Sequence, residues 1–171
     1  MADLPEQRLR YRYTECGLDN VVIEGIDVRV DDSGEEMLYI PAVNELHKTI
    51  ARGIVESESG MSGQELRFLR TMMGFTQAEL AKHVHHDAQS VARWEKNRTP
   101  IQAASEIVVR LLAVENLNLG ERGSIEQIAA RCVPGGRRPD IVIDGSGPPG
   151  YGMMASVGLG LLGAVLEKVL R

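Results

Sequence analysis

Closely spaced helix-start signals in the middle of the chain are the feature that most constrains its fold. Ser62-Gly63-Gln64-Glu65 and Thr76-Gln77-Ala78-Glu79 both have the spacing of a capping box, in which a hydroxyl and a carboxylate bind free N–H groups at a helix start. Asp87 can cap a third helix, and a fourth begins after Pro100 with apolar residues at helical spacing. A fifth, shorter helix is predicted from Ser124. We therefore expect an all-α unit of short helices joined by tight turns.

The first 61 residues have a different periodicity. Residues 21–23, 26–30 and 37–40 form β-branched or alternating runs, separated by Gly25 and by an Asp-Ser-Gly turn signal. Residues 43–54 then place their apolar side chains on one helical stripe. This part of the chain is predicted to be a small strand-rich module with one helix, and the polar residues 56–60 are predicted to be a linker.

The end of the chain combines a glycine- and proline-rich stretch with an apolar one. Residues 133–152 have a composition that buries too little apolar surface to offset its ordering entropy, so we predict a flexible segment. Residues 153–170 are apolar with a charged tip and are predicted to form a helix that packs on the body or on a second copy. The longest apolar stretch without charge has 14 residues, which is shorter than the ~18 that a membrane span needs. With no secretory signal at the N-terminus and only two cysteines, we expect a cytoplasmic protein with reduced thiols.

Charge is unevenly distributed along the chain. Residues 1–61 carry 13 acidic and 6 basic side chains, whereas residues 62–99 carry 4 acidic and 6 basic ones. Like charges repel, so only the middle block can approach a polyanion such as DNA. We expect any contact with DNA to be local.

The predicted helices that start at Thr76 and near Asp87 have the form of a helix-turn-helix. The chain reads Phe68-Leu69-Arg70, then Gly74-Phe75-Thr76-Gln77-Ala78-Glu79-Leu80-Ala81, then Ser90-Val91-Ala92-Arg93-Trp94-Glu95-Lys96-Asn97-Arg98. These segments closely resemble the Cro/Xre family of phage-repressor-like DNA-binding domains, over roughly residues 62–116. The resemblance implies a five-helix domain in which the second helix of the helix-turn-helix lies in the major groove of DNA. His85 stands where that family usually has a glycine of positive φ, so we expect some loss of stability or a shifted turn.

Side chains on and around the second of these helices suit DNA contact. Gln89 can bind adenine and Arg93 can bind guanine through two hydrogen bonds each, and Ala88 can touch a thymine methyl. Gln77 and Ser90 suit phosphate oxygens, and the loop after the helix would lie along the DNA backbone. The predicted DNA-binding residues are Gln77, Ala88, Gln89, Ser90, Ala92, Arg93, Lys96, Asn97 and Arg98. We interpret Glu95 as an ion-pair or capping residue, and Arg67 and Arg70 as surface charges.

The N-terminal module has a second resemblance. Tyr13-Thr14-Glu15-Cys16-Gly17-Leu18, the strands that follow and the helix with Leu46-His47 are similar in order to MqsA-like antitoxins, where a zinc-binding module precedes a Cro/Xre domain. Structural zinc needs about four thiolate or imidazole ligands, and this segment offers only Cys16 and His47. We therefore expect no metal, and no cofactor is implied elsewhere.

These observations predict a mainly α fold in three parts. Residues 1–61 form the strand-rich module for dimerisation or partner binding, 62–117 the helix-turn-helix domain, and 118–171 a short helix, a flexible segment and an apolar helix. The predicted function is a sequence-specific DNA-binding transcription regulator, a repressor that acts as a homodimer. Two alternatives stay open: an antitoxin that binds a toxin through its N-terminal module, and an adaptor that binds proteins only. The sequence contains no catalytic set, so we expect no enzyme.

Overall fold

The computed structural model describes residues 9–30, 32–121, 123–133, 138–146 and 150–154. This part of the chain is an α+β fold of six helices and a mixed five-stranded sheet. The elements are β1 (Leu9–Arg12), β2 (Val21–Val30), β3 (Glu36–Tyr39), α1 (Val43–Glu56), α2 (Gly63–Met72), α3 (Gln77–His83), α4 (Ala88–Glu95), α5 (Ala103–Leu117), α6 (Ile125–Arg131), β4 (Ile141–Asp144) and β5 (Gly152–Met153).

Strand β2 organises the sheet. It pairs antiparallel with β1 and β3 and parallel with β4, and β4 pairs antiparallel with β5. The predicted break at Gly25 is not a turn between two strands, because β2 continues through that residue. Gly25 has a φ of +81°, and a Cβ built there would lie 2.8 Å from the Cβ of Ser146. The glycine is therefore required for both its conformation and the close approach of a neighbouring segment.

The prediction that residues 133–152 are flexible is wrong for the residues that form β4. Ile141 and Ile143 are buried, and their strand pairs with the start of β2. The N–H of Ile141 donates to the carbonyl of Asn20 at 2.7 Å. The short apolar run offsets its ordering entropy by joining an existing sheet, a gain that local composition does not show. The predicted C-terminal helix is wrong for its first residue, because Met153 belongs to β5, and from residue 155 on it lies outside the described residues.

One continuous core joins the strands to the helices. Ile23 of β2, Ile50 of α1 and Leu69 of α2 are almost completely buried and belong to the same apolar cluster. Helix α1 packs against β4 on one side and against α5 on another. The N-terminal strands and the helices after residue 62 thus share a core.

Arg110 of α5 fixes the predicted linker. Its guanidinium is completely buried and donates to Oε1 of Glu106 at 2.7 Å. It also donates to the carbonyl groups of Ile54, Val55, Ser57 and Ser59. Because the guanidinium satisfies four carbonyl groups at once, the segment between α1 and α2 has a single defined path.

Among the described helices, none combines the length and the apolar character needed to cross a membrane.

Candidate nucleic-acid interface

Helices α2, α3 and α4 begin at the residues that the sequence indicates. The hydroxyl of Thr76 accepts from the N–H of Glu79, whose carboxylate accepts from the N–H of Thr76, and Ser62 forms the same box with Glu65. Asp87 caps α4 by accepting from the N–H of Ser90 at 2.8 Å. These bonds satisfy N–H groups that a helix start leaves unpaired, and they therefore fix where each helix begins. The predicted starts of α2, α3 and α4 are confirmed.

The turn between α3 and α4 depends on His85. This residue has a φ of +54°, as its position in the sequence predicts. The N–H of His86 donates to the carbonyl of Ala81 at 2.9 Å, and the N–H of His85 to the carbonyl of Lys82 at 3.4 Å. This pair of bonds is a Schellman motif, which ends α3 and directs the chain into α4.

Helix α4 presents two different faces. Val91 and Trp94 are buried, whereas Ala88, Gln89 and Arg93 are exposed. Gln89 and Arg93 are one turn apart, so their side chains leave the same face. The predicted base-reading side chains are therefore accessible together, with Ala92 partly exposed between them.

Ser90 is held within α4. Its hydroxyl donates to Oδ2 of Asp87 at 2.8 Å and accepts from a guanidinium nitrogen of Arg93 at 3.1 Å. The hydrogen bonds from Ser90 lower the pKa of Asp87, which keeps this carboxylate ionised at the helix N-terminus. Ser90, predicted to contact phosphate, therefore has partners within α4, and its bond to Arg93 holds that guanidinium.

A polar cluster of Arg70, Gln77 and Glu95 locks α2, α3 and α4 together. Nε of Arg70 lies 2.5 Å from Oε1 of Glu95, and Nε2 of Gln77 donates to Oε2 of Glu95 at 2.8 Å. The side chains of Arg70 and Glu95 are only 14% and 4% exposed. The expected ion pair of Glu95 is confirmed, whereas Arg70 is not the predicted surface charge. Gln77, predicted to bind phosphate, has a partner within the chain.

The loop after α4 contains both exposed and engaged residues. Lys96 and Arg98 are exposed, as a role on the DNA backbone requires. Asn97 is exposed as well, but its Oδ1 accepts from the N–H of Gly63 at 2.7 Å and its Nδ2 donates to Gln64. Asn97 thus joins the end of α4 to the start of α2, a partner that its place in the sequence does not reveal.

The histidines near the turn pack against aromatic rings. His83 stacks on Phe75 with ring centroids 5.1 Å apart, and His86 meets Trp94 edge-on at 4.8 Å. Nowhere in the described ranges do three or more His, Cys, Asp or Glu side chains come together in a way that could hold a metal ion. His47 instead lies 3.0 Å from the hydroxyl of Tyr13.

Known proteins offer no family assignment for this chain. Comparisons with protein-family models, with curated proteins and with solved structures find no match. What the surface can bind is therefore inferred from the geometry of α3 and α4.

Proposed function

We propose that this protein is a sequence-specific double-stranded DNA-binding transcription regulator, a repressor with a Cro/Xre-type helix-turn-helix. Helix α4 would lie in the major groove, with Gln89 on an adenine, Arg93 on a guanine and Ala88 against a thymine methyl. The observation that carries the proposal is the joint exposure of Gln89 and Arg93 on one face of a helix that follows a Schellman turn.

The spacing of these side chains fits neighbouring base pairs. Residues four apart on a helix are separated by about 6 Å along its axis, and base pairs are stacked about 3.4 Å apart. Long side chains such as Gln89 and Arg93 can therefore reach base edges one or two steps apart. Lys96 and Arg98 at the end of the helix would bind phosphates and fix the register.

The polar cluster of Arg70, Gln77 and Glu95 supports this role as a positioning device. A recognition helix must be held rigidly, because a displacement of about 1 Å breaks bidentate hydrogen bonds to a base. The cluster binds α4 to both preceding helices, and Asn97 ties the end of α4 to α2. We assign Gln77 and Asn97 to this support, and Ser90 to the orientation of Arg93.

Selection of bound duplexes from a random library tests the proposal. The purified protein should enrich a near-palindromic site with half-sites about one helical turn, ~34 Å, apart. Gln89→Ala should bind the selected duplex with an affinity about 5- to 150-fold lower, because a bidentate amide contact contributes about 1–3 kcal/mol. The preference at one base position should be lost.

Gln102→Ala is the matched control. Gln102 is exposed before α5, and its side chain makes no capping hydrogen bond. This variant should keep the affinity and the base preferences of the wild type. Failure to enrich any duplex, or a Gln89→Ala variant with unchanged preferences, would favour a protein that binds only other proteins.

A further inference from the structure

The β2–β3 hairpin exposes apolar side chains on both of its faces. Every residue of β3 is exposed, and β2 loses its burial beyond Ile26. The exposed fractions are 65% for Val30, 56% for Met37, 41% for Leu38 and 40% for Tyr39. Monomeric proteins rarely leave several large apolar side chains together in water, and such a patch marks a contact surface.

The outer edge of β3 is available for strand pairing. Among the described strands, β3 pairs with β2 alone. An edge strand offers a row of backbone N–H and C=O groups to any strand that lies beside it. No proline or lysine stands between Glu36 and Ile40 to block such pairing.

We propose that β3 pairs antiparallel with β3 of a second copy of this chain, across a two-fold axis at Leu38. Residues that lie directly opposite each other in a sheet have their side chains on the same face. A two-fold symmetric pairing must therefore place one residue opposite its own copy, with the axis between the two copies. Centred on Leu38, the pairing puts that side chain opposite itself and Met37 opposite Tyr39 of the second copy.

The apolar rows of the two hairpins become continuous in this register. Val28 lies beside Leu38 in the β2–β3 pairing. One face of the joined sheet therefore carries a row of Val28 and Leu38 followed by Leu38 and Val28 of the second copy. Cross-strand pairs of this kind are the stabilising unit of a sheet.

The other face places opposite charges at the two ends of each row, about 14 Å apart. Asp27 lies beside Tyr39, and Arg29 lies beside Met37 with its guanidinium 3.4 Å from the centre of the Tyr39 ring. Each row across the joined sheet then has Asp27 at one end and Arg29 of the second copy at the other. No charged side chain opposes a like charge in these rows.

The symmetric register on the N-terminal side of Leu38 is less favourable. Centred on Met37, it would put Glu36 opposite Leu38 and Glu35 opposite Tyr39 of the second copy. Both carboxylates would then lie in apolar rows, which costs desolvation energy. Centred on Leu38, only Glu36 lies opposite an apolar residue, Ile40, near the end of the paired region. The symmetric register on the other side, centred on Tyr39, would put Met37 opposite Pro41, which has no N–H to donate to the ladder.

The oligomeric state of the full chain tests this interface, and it is measured without DNA, so its failure leaves the DNA-binding proposal intact. Wild-type protein should sediment at a mass near twice the 18.8 kDa of one chain. Leu38→Glu should sediment as a monomer with an unchanged circular dichroism spectrum, because it puts two carboxylates face to face. Ile125→Glu, which changes a more exposed apolar residue on α6, should stay a dimer. A monomeric wild type, or a dimeric Leu38→Glu, overturns the inference.

Cysteine cross-linking tests the register. In a Cys16→Ser, Cys132→Ser background, Leu38→Cys should form a disulfide-linked dimer, because directly opposite Cα atoms lie about 4.5–5.5 Å apart. Val30→Cys is the control, since strands are about 4.8 Å apart and the two β2 strands would be separated by about 14 Å. Oxidation that links the Val30→Cys chains as readily as the Leu38→Cys chains, or links neither, contradicts the register.

Discussion

At the scale of single residues, the candidate interface depends on a histidine in a conformation that favours glycine. His85 has a φ of +54° at the end of α3, where its backbone completes the Schellman motif. A side chain with a Cβ is strained in this region, and only asparagine, aspartate and histidine enter it with some ease.

His85→Gly should therefore stabilise the protein. Relief of the left-handed strain exceeds the extra entropy that glycine loses on folding, so the free energy of unfolding should rise by up to about 1 kcal/mol. Urea denaturation measures this change. His83→Gly, at the last residue of α3, is the control and should lower the free energy of unfolding by about 1 kcal/mol, because glycine disfavours a helix and the ring contact with Phe75 is lost. A decrease for His85→Gly would show that the imidazole itself holds the turn.

The sequence predicts exposed residues better than it predicts engaged ones. Gln89 and Arg93 are exposed as expected, because the period of α4 decides their face. Gln77 and Asn97, which were predicted to contact DNA, also have partners within the chain, Glu95 and Gly63, which are remote in sequence. The type and position of a polar residue in the sequence do not show whether its side chain is available to a ligand or is bonded to another element of the same fold.

At the scale of elements, close approach of α2 to α4 controls the position of α4. A Cβ built on Gly63 would lie 2.2 Å from the carbonyl oxygen of Trp94 and 2.6 Å from that of Glu95. The backbones of the two helices thus meet with no room for a methyl group.

Gly63→Ala should force α2 and α4 apart. We expect the free energy of unfolding to fall by about 1–3 kcal/mol, the usual cost of overpacking, and affinity for DNA to fall with it. Gly150→Ala meets no atom within 4 Å and should change the stability by less than about 1 kcal/mol. Thermal denaturation followed by circular dichroism compares the two variants, and equal stabilities would contradict the contact.

A second contact between elements involves a half-buried histidine. Nε2 of His47 lies 3.0 Å from the hydroxyl of Tyr13, and its ring meets Phe68 of α2 edge-on at 5.6 Å. Burial lowers the pKa of His47 below its ordinary value.

The lowered pKa predicts a pH-dependent stability. The unfolded chain binds a proton at His47 more readily than the folded chain, so stability is complete above about pH 6.5 and falls as the pH decreases below it. His47→Gln, which keeps an acceptor for Tyr13, should reduce the dependence of Tm on pH between about 7 and 5. An unchanged slope would assign the dependence to other groups.

Helices were predicted more accurately than the sheet for a physical reason. Capping boxes such as Thr76 with Glu79 lie within four residues, so the sequence contains both partners side by side. Strand β4 was missed because its partner is β2, at the other end of the chain. Its run of three apolar residues is too short to outweigh the glycines and prolines around it.

At the scale of the whole molecule, Arg110 joins the strand-rich part to the helices. It is completely buried and binds the carbonyl groups of the segment that connects α1 to α2. A buried charge is tolerated only when its donors are all satisfied, so this residue fixes the path of the chain.

Arg110→Lys should loosen this connection although the charge is kept. An ammonium group cannot reach the several acceptors that the planar guanidinium serves, so the free energy of unfolding should fall by about 3 kcal/mol or more. Limited proteolysis should then cleave within residues 56–60. Arg52→Lys, which changes an exposed arginine with one bond to the carbonyl of Leu119, is the control. Equal protease resistance of the two variants would remove the assigned role of Arg110.

The proposed contact of α4 with base edges is tested most directly by the ratio of specific to non-specific affinity for DNA. This ratio is determined for Arg93→Ala and Arg98→Ala on the selected duplex and on an unrelated one, over a range of salt concentrations. Arg93→Ala should lower the ratio by about 5- to 150-fold, because it removes a base contact. Arg98→Ala should weaken both affinities alike and reduce the salt slope by about 1. An Arg93→Ala variant that keeps the wild-type ratio would contradict the account.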